Sequence, residues 1–340
     1  MKVLVTGSEG YVGTVLVRQL VEKGYDVTGL DTGYYGDCNI VDPNIEIPII
    51  RKDVRDISSI DLQNVDAILH LAAMSNDPLS FFNPEITMDI NFKASLNLAA
   101  LAKKANIGKF IFASSCSSYG INNTGIVDEN SKLNPITAYA QSKALAEHEI
   151  LKLASNDFNI VLFRSATVNG LAPRLRFDLV VNNLTGLALT TGKISIKSDG
   201  TPWRPTVHVE DNCSAFLLAL EAESIPSRLY NIGSTDENYQ IKDIAEVIRD
   251  NVDCDVEFQN QDPDSRSYRV NCDKIKNDLN FKIKWPLEKS VKELVKNLTE
   301  LGLNHSEFDS RKYNRLKQIK YLIETSRLDT NLRWLNNIPS

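Results

Sequence analysis

The chain has 340 residues, 42% of them hydrophobic, which is enough to fill a substantial core in one large domain or two moderate ones. A formal net charge of −6 with no long basic run leaves no electrostatic footprint for nucleic acid or an anionic membrane surface. Five cysteines, Cys38, Cys116, Cys213, Cys254 and Cys272, form no CxxC pair and have no clustered histidines beside them, which argues against both a metal site and a disulfide framework.

The N-terminal run KVLVTG is too short for the core of a signal peptide. No later segment has the roughly 18 unbroken apolar residues of a membrane span. A cytoplasmic protein whose partners are small molecules or other subunits is the expectation. KVLVTG is followed by the helical VGTVLVRQLVEKG, then DVTGLD, DAILHLAA, ASLNLAALAKKAN, KFIFASS and NIVLFRSATV, Asn159 to Val168. Strands alternating with helices make repeated βαβ units, so the predicted fold class is α/β, with a doubly wound parallel sheet covered on both faces.

After Val168 the rhythm changes. GLAPRLRFD reads as a loop and LVVNNLTGLALTTG as a helix, and GTPWRPTVHVEDNCSAFLLALEAE gives a turn, a strand and another helix. RLYNIGS, the amphipathic QIKDIAEVIRDNV, DVEFQ and a helix around Glu288 to Leu301 follow. The expected division is a first domain over residues 1–168, to which 205–222 returns, a smaller and mainly substrate-binding domain over 169–300, and a helical C-terminal extension over 301–340. That extension carries Tyr313, Leu316, Ile319, Leu322 and Ile323 at amphipathic spacing, expected to pack on the body or on a partner subunit.

The stretch VTGSEGYVG places Gly7, Gly10 and Gly13 between a strand and a helix, and Asp31 ends the next strand. Glycine permits a tight turn and close backbone approach to a pyrophosphate, and the helix N-terminus offers unpaired N–H groups to its charge. An aspartate at this position accepts hydrogen bonds from ribose hydroxyls and repels a 2′-phosphate, which favours NAD over NADP. The first domain is therefore predicted to be a Rossmann-type NAD-binding domain.

Four further motifs complete a pattern: DVRD (Asp53 to Asp56), HLAA (His70 to Ala73), FASSCSSYG (Phe112 to Gly120) and YAQSK (Tyr139 to Lys143). With the glycine turn, they resemble the extended short-chain dehydrogenase/reductase family, NAD-dependent epimerases, dehydratases and dehydrogenases of nucleotide sugars. The resemblance runs to about residue 295. It implies that Tyr11, Val12 and Ser114 join the glycines at the cofactor, that Asp53 and Val54 contact the adenine, and that Leu71, Ala72 and Ala73 pass beneath the cofactor. It also implies that Asn91 supports the active-site lysine through water, and that the protein is a homodimer.

Tyr139 and Lys143 are four residues apart, so on a helix they share one face. A cation near a tyrosine favours the phenolate, which can then take a proton from a sugar hydroxyl near neutral pH. Ser115, at the end of the preceding strand, would hold the same hydroxyl, and Lys143 would also bind the nicotinamide ribose. Ser115, Tyr139 and Lys143 are thus the expected catalytic set. Family 4,6-dehydratases carry an aspartate and a glutamate after the residue matching Ser115, whereas Cys116 and Ser117 stand here, which disfavours a dehydratase.

What remains is oxidation at C4 of a nucleoside-diphosphate sugar. If the ketone turns over and is reduced on its other face, the enzyme is an epimerase. If hydride transfer is net, it is a C4 dehydrogenase or reductase. A third reading, a catalytically silent NAD-binding regulatory protein, is opposed by the intact catalytic set. The segments RSATVNGLAPRLRFD and DPDSRSYRV look closer to capsule-type C4 dehydrogenases than to galactose epimerases. Candidate contacts to the nucleotide sugar are Asn76, Ser115, Thr167, Arg174, Arg176, Asn182, Arg204 and Arg266, with Asn183 and Arg269 as neighbours. His208 is expected to be structural.

Overall fold

Seven apolar runs pair side by side into one parallel sheet: β1 (Lys2–Thr6), β2 (Asp26–Asp31), β3 (Ile49–Arg51), β4 (Ala67–His70), β5 (Lys109–Ser115), β6 (Asn159–Ser165) and β7 (Leu229–Ile232). The structure is a computed structural model and describes residues 1–41, 45–259, 266–336 and 338. In space the strands run β3-β2-β1-β4-β5-β6-β7, every neighbour parallel. The winding reverses between β1 and β4, and in such sheets ligands bind in the crevice beyond the carboxyl ends of the strands at that reversal.

Side chains alternate between two cores because successive strand residues point to opposite faces. Val3, Val5, Leu69, Ile111, Val161 and Phe163 meet helix α1 (Tyr11–Glu22) on one face. Leu4, Ile68, Phe110, Phe112, Ile160 and Leu162 meet α2 (Ser95–Lys104) and α3 (Ala138–Leu151) on the other. Burial on both faces is why these strands read as continuous apolar runs.

The chain crosses back to this sheet after residue 168. Helix α4 (Val209–Glu221) packs beside α1, its Cys213 thiol donating to the Val12 carbonyl at 3.6 Å, and Gln19 donates to the Glu210 carboxylate at 2.7 Å. The strand β7 also belongs to the large sheet, although its position in the sequence puts it within 169–300. Its Tyr230 and Ile232 are fully buried and its backbone pairs with Leu162 to Ser165 of β6. On either side of these returns in the chain, Thr167–Asn169, Trp203–His208 and Asn238–Gln240 form a small three-stranded sheet.

The extension contains helix α5 (Arg315–Glu324), capped by Asn314, whose carboxamide accepts from the Lys317 N–H at 3.0 Å. Ile319 and Leu322 are buried in the same core as Leu4 and Ile68, so the amphipathic face packs on the chain's own body. Among the described residues no helix is long and apolar enough to cross a membrane, and no three His, Cys, Asp or Glu side chains gather where they could hold a metal.

Candidate active site

Two cavities open at the carboxyl ends of the strands. The first is lined by Gly7, Gly10 to Gly13, Asp31, Asp53, Val54, Leu71 to Ala73 and others. Gly7 has φ +71°, and a side chain there would put its Cβ 2.8 Å from the Ala72 nitrogen. A Cβ on Gly13 would lie 2.0 Å from the Gly7 carbonyl oxygen. No side chain larger than hydrogen fits either position, so the turn brings bare backbone to the cavity. Gly10 caps α1 without a side-chain hydrogen bond, which leaves first-turn N–H groups to bind an anion.

Asp31 is held by the backbone: its two oxygens accept from Glu9 N–H at 3.0 Å and Gly33 N–H at 2.9 Å. Burial, with the neighbouring Glu9 carboxylate, pushes its pKa up. Asp53 is paired with Arg55 at 2.6 Å. A cradle that a Cβ would fill, an uncapped helix start and a carboxylate one strand away fit NAD.

The second cavity is lined by Ser114, Ser115, Ser117, Tyr139, Lys143, Thr167 and residues from several other segments. Tyr11, Val12, Leu71, Ala73, Ser75 and Arg176 line both, so the cavities share a wall. Thr137 caps α3 by accepting from Ala140 N–H at 3.1 Å, which starts the helix one residue before Tyr139. One turn later Lys143 follows on the same face.

The electrostatics differ from the expectation for this pair. Burial pushes the Tyr139 phenol up to about 12, against a hydrogen bond with Ser115 and the nearby Arg176 guanidinium, which both favour the phenolate. Burial also brings Lys143 down to about 7, with Glu147 opposing. The Lys143 ammonium donates to the Ala113 carbonyl at 2.7 Å and lies 4.6 Å from the Phe112 ring centre. In a dry site the cost of desolvating each charge is the largest cause of both shifts.

Asn76, Thr167, Arg176, Arg204 and Arg266 line the second cavity as expected from the sequence. Arg176 pairs with Asp178 and donates to Ser75 at 2.8 Å, Asn76 donates to Asp178 at 2.5 Å, and Arg266 pairs with Asp77. Arg204 donates to the Trp203 carbonyl at 2.8 Å. Arg269 stacks 5.1 Å over Trp203. Asp262 to Ser265 of DPDSRSYRV lie outside the described residues.

Three expected contacts line neither cavity. Asn182 is fully buried, donating to Tyr11 Oη at 3.3 Å and the Arg176 carbonyl at 3.1 Å while accepting from Gly170 N–H at 3.1 Å. It clamps the loop, and Asn183 likewise donates to the Phe177 carbonyl at 2.9 Å. Arg174 donates to Asn39 at 2.8 Å and faces Glu9 and Asp31, on the cofactor side of the cleft. Asn91 grips the Met74 backbone from both sides, at 2.8 and 3.1 Å, and donates to Ser142 at 3.1 Å. It ties the end of the β4 segment to α3, and so sets the height of the wall under both cavities. Ser114 reaches the cavity but gives its hydroxyl proton to Glu147, which is paired with buried Arg164 at 2.6 Å. His208 is fully buried, 2.8 Å from Glu293 and stacked on Trp285.

Sequence reading missed Ser75, Asp77, Asp178 and Arg315. The first three are ordinary polar residues until the fold sets them opposite an arginine. Arg315 comes from the C-terminal extension and has no sequence signal at all.

The sequence model of the NAD dependent epimerase/dehydratase family matches residues 3–233, and the chain belongs to that family. It is 30% identical over 302 residues to a putative UDP-glucose 4-epimerase of Methanocaldococcus jannaschii, covering 86% of this chain and 97% of the relative. A UDP-glucose 4-epimerase of Lactobacillus helveticus is 31% identical over 291 residues, covering 78% and 87%. Among solved structures, a UDP-glucuronic acid 4-epimerase from Bacillus cereus in complex with UDP-glucuronic acid and NAD superposes with a TM-score of 0.75 at 26% identity. It covers 88% of this chain and 100% of that one.

Proposed function

We propose that this member of the NAD-dependent epimerase/dehydratase family is a nucleotide-sugar epimerase, inverting a carbinol through transient oxidation at C4 of a nucleoside-diphosphate sugar. The observation that carries this reading is the shared wall. It sets Ser115, Tyr139 and Lys143 in a cavity that adjoins the glycine turn and Asp31.

In this reading residues 1–168 hold NAD and 169–300 bring the sugar nucleotide, with Arg176 facing both. Ser115 orients the C4 hydroxyl, and Tyr139 Oη takes its proton and later returns it. Lys143 supplies positive charge to that face of the site. NAD, which the glycine turn and Asp31 would hold, would supply the hydride acceptor and donor, and its oxidised form would add positive charge to the site. Arg204 and Arg266 are candidates for the diphosphate of the sugar nucleotide, and Asn76 and Thr167 for the sugar.

A dehydratase would need carboxylic acids free to eliminate water. The two aspartates on the second cavity's wall, Asp77 and Asp178, are each engaged by an arginine. Beside Ser115 stand Cys116, whose thiol donates to the Arg164 carbonyl at 3.2 Å, and Ser117.

The test is incubation with a panel of UDP- and dTDP-sugars, following absorbance at the NADH wavelength and separating the products. An epimer formed from one or a few sugars without net NADH supports the proposal. Stoichiometric NADH would reassign the enzyme as a C4 dehydrogenase, and no conversion of any sugar together with firm NAD binding would favour the regulatory reading.

A further inference from the structure

The C-terminal extension lies beyond the residues 3–233 matched by the family, yet it reaches the cofactor cavity. Gln318 donates to the Tyr34 carbonyl at 2.9 Å, and Tyr34 Oη donates to the Leu332 carbonyl. Trp334 Nε1 donates to the Thr32 carbonyl at 2.8 Å, and Arg333 pairs with Asp53 at 3.4 Å. Thr32, Tyr34 and Asp53 all line the first cavity, on the side of Asp31.

Arg315, at the start of α5, enters the wall itself. It is 2% exposed, lies 4.6 Å over the Tyr35 ring and donates through Nη2 to the Arg174 carbonyl at 2.6 Å. Its Nη1 is buried with no hydrogen-bond partner among the described residues. On the same cavity, Arg176 Nη2 is also buried without one. Burial and the repulsion of Arg176 pull Arg315 down to about 10, still protonated at neutral pH.

Buried Arg164 shows the contrast. Its three guanidinium nitrogens all meet Glu147 or Tyr119, at 2.6 to 3.1 Å. A charged donor left unpaired in a dry wall is costly, and two such cations side by side repel. An anion bearing several oxygens, placed between them, relieves both costs.

We propose that Arg315 binds the diphosphate of NAD, with Arg176 beside it, and that residues 313–334 strap the adenosine half of the cofactor to the protein. The inference rests on the assignment of the first cavity to NAD. A sugar nucleotide carries the same diphosphate chemistry, and Arg176 faces both cavities. Arg315 lines only the first of these two cavities, which favours the cofactor.

The experiment compares the full-length wild type with Arg315→Gln and Arg315→Lys. Each is stripped of cofactor and titrated by calorimetry with NAD, ADP-ribose, adenosine and UDP, and NAD content is measured as purified. Arg315→Gln should weaken NAD and ADP-ribose by about 10-fold or more, leave adenosine and UDP unchanged, and lower retained NAD. Arg315→Lys should recover part of the loss, because it keeps the charge without the fork. Unchanged NAD affinity overturns the proposal. So does an equal loss for adenosine, which would mark a distorted cavity, or a loss confined to UDP, which would move the contact to the sugar nucleotide. Failure of the wild type to bind NAD would instead overturn the cavity assignment.

Discussion

The two cavities are built from different material. The first has a floor of backbone, where Gly7, Gly10 and Gly13 come within contact of Ala72 and of each other, and side chains such as Asp31 and Arg315 enter only from its walls. The second is walled by side chains that hold one another, Arg176 to Asp178, Asn76 to Asp178, Arg266 to Asp77. A backbone site depends on residues that must be absent, whereas a side-chain site depends on residues that must be present and aimed. The floor of the first should therefore break on adding atoms and the second cavity on removing them.

The largest expected effect is in the second cavity. Tyr139→Phe removes a single hydroxyl, the proposed proton acceptor, and turnover should fall by about 10³-fold, or about 4 kcal/mol of transition-state stabilisation. NAD content and unfolding temperature should stay at the wild-type values, because the first cavity does not use that oxygen. Residual turnover within about 10-fold of wild type would remove Tyr139 from the chemistry.

Gly13→Ala reverses the logic. One added methyl would sit 2.0 Å from the Gly7 carbonyl and 2.8 Å from Ser8, all backbone atoms that belong to the turn. The turn must open, at a cost of about 2–3 kcal/mol in stability, and the protein should purify with little NAD. Chemical denaturation and nucleotide analysis of the purified protein read both effects. Unchanged stability and full NAD occupancy would mean that the floor tolerates a side chain.

The same contrast explains what the sequence made legible. Glycine spacing and Asp31 are local features, and the structure sets all four on the first cavity. The sheet was readable because burial on both faces writes a continuous apolar run. Arg174 and Asn182 line neither cavity, and a polar residue carries no mark in the sequence of which way it faces. Asn182 turns inward to satisfy Tyr11 and two backbone groups, and Arg174 turns to Asn39. The depressed pKa expected for Tyr139 assumed solvent, and helix spacing says nothing about how dry a cleft is. Arg315 was out of reach because only packing of α5 on the first domain brings it to the cavity.

The smallest effect concerns the wall that both cavities share. His70 ends β4, just before Leu71 to Ala73, and its ring is fixed at both ends: Nδ1 lies 2.6 Å from Thr6 Oγ1 and Nε2 2.8 Å from Ser95 Oγ. The Ser95 hydroxyl donates to the Asn91 carbonyl at 2.8 Å, so Nε2–H donates to Ser95 and Nδ1 accepts from Thr6. Protonating Nδ1 would break that chain, and burial, with Lys143 nearby, brings the ring down to about 3. Unfolded, it titrates near 6.5. Its contribution to stability is therefore complete above about pH 6.5 and is lost as pH falls toward 3, with a slope of at most about 1.4 kcal/mol per pH unit. His70→Gln can keep one donor and one acceptor without a titrating group. Urea unfolding at pH 7, 6 and 5 should show the wild type losing about 1 kcal/mol per unit more than His70→Gln. Retained NAD should fall in parallel, since the wall serves both sites. Equal slopes would mean that this ring can be protonated in place, and that the shared wall is looser than its hydrogen bonds indicate.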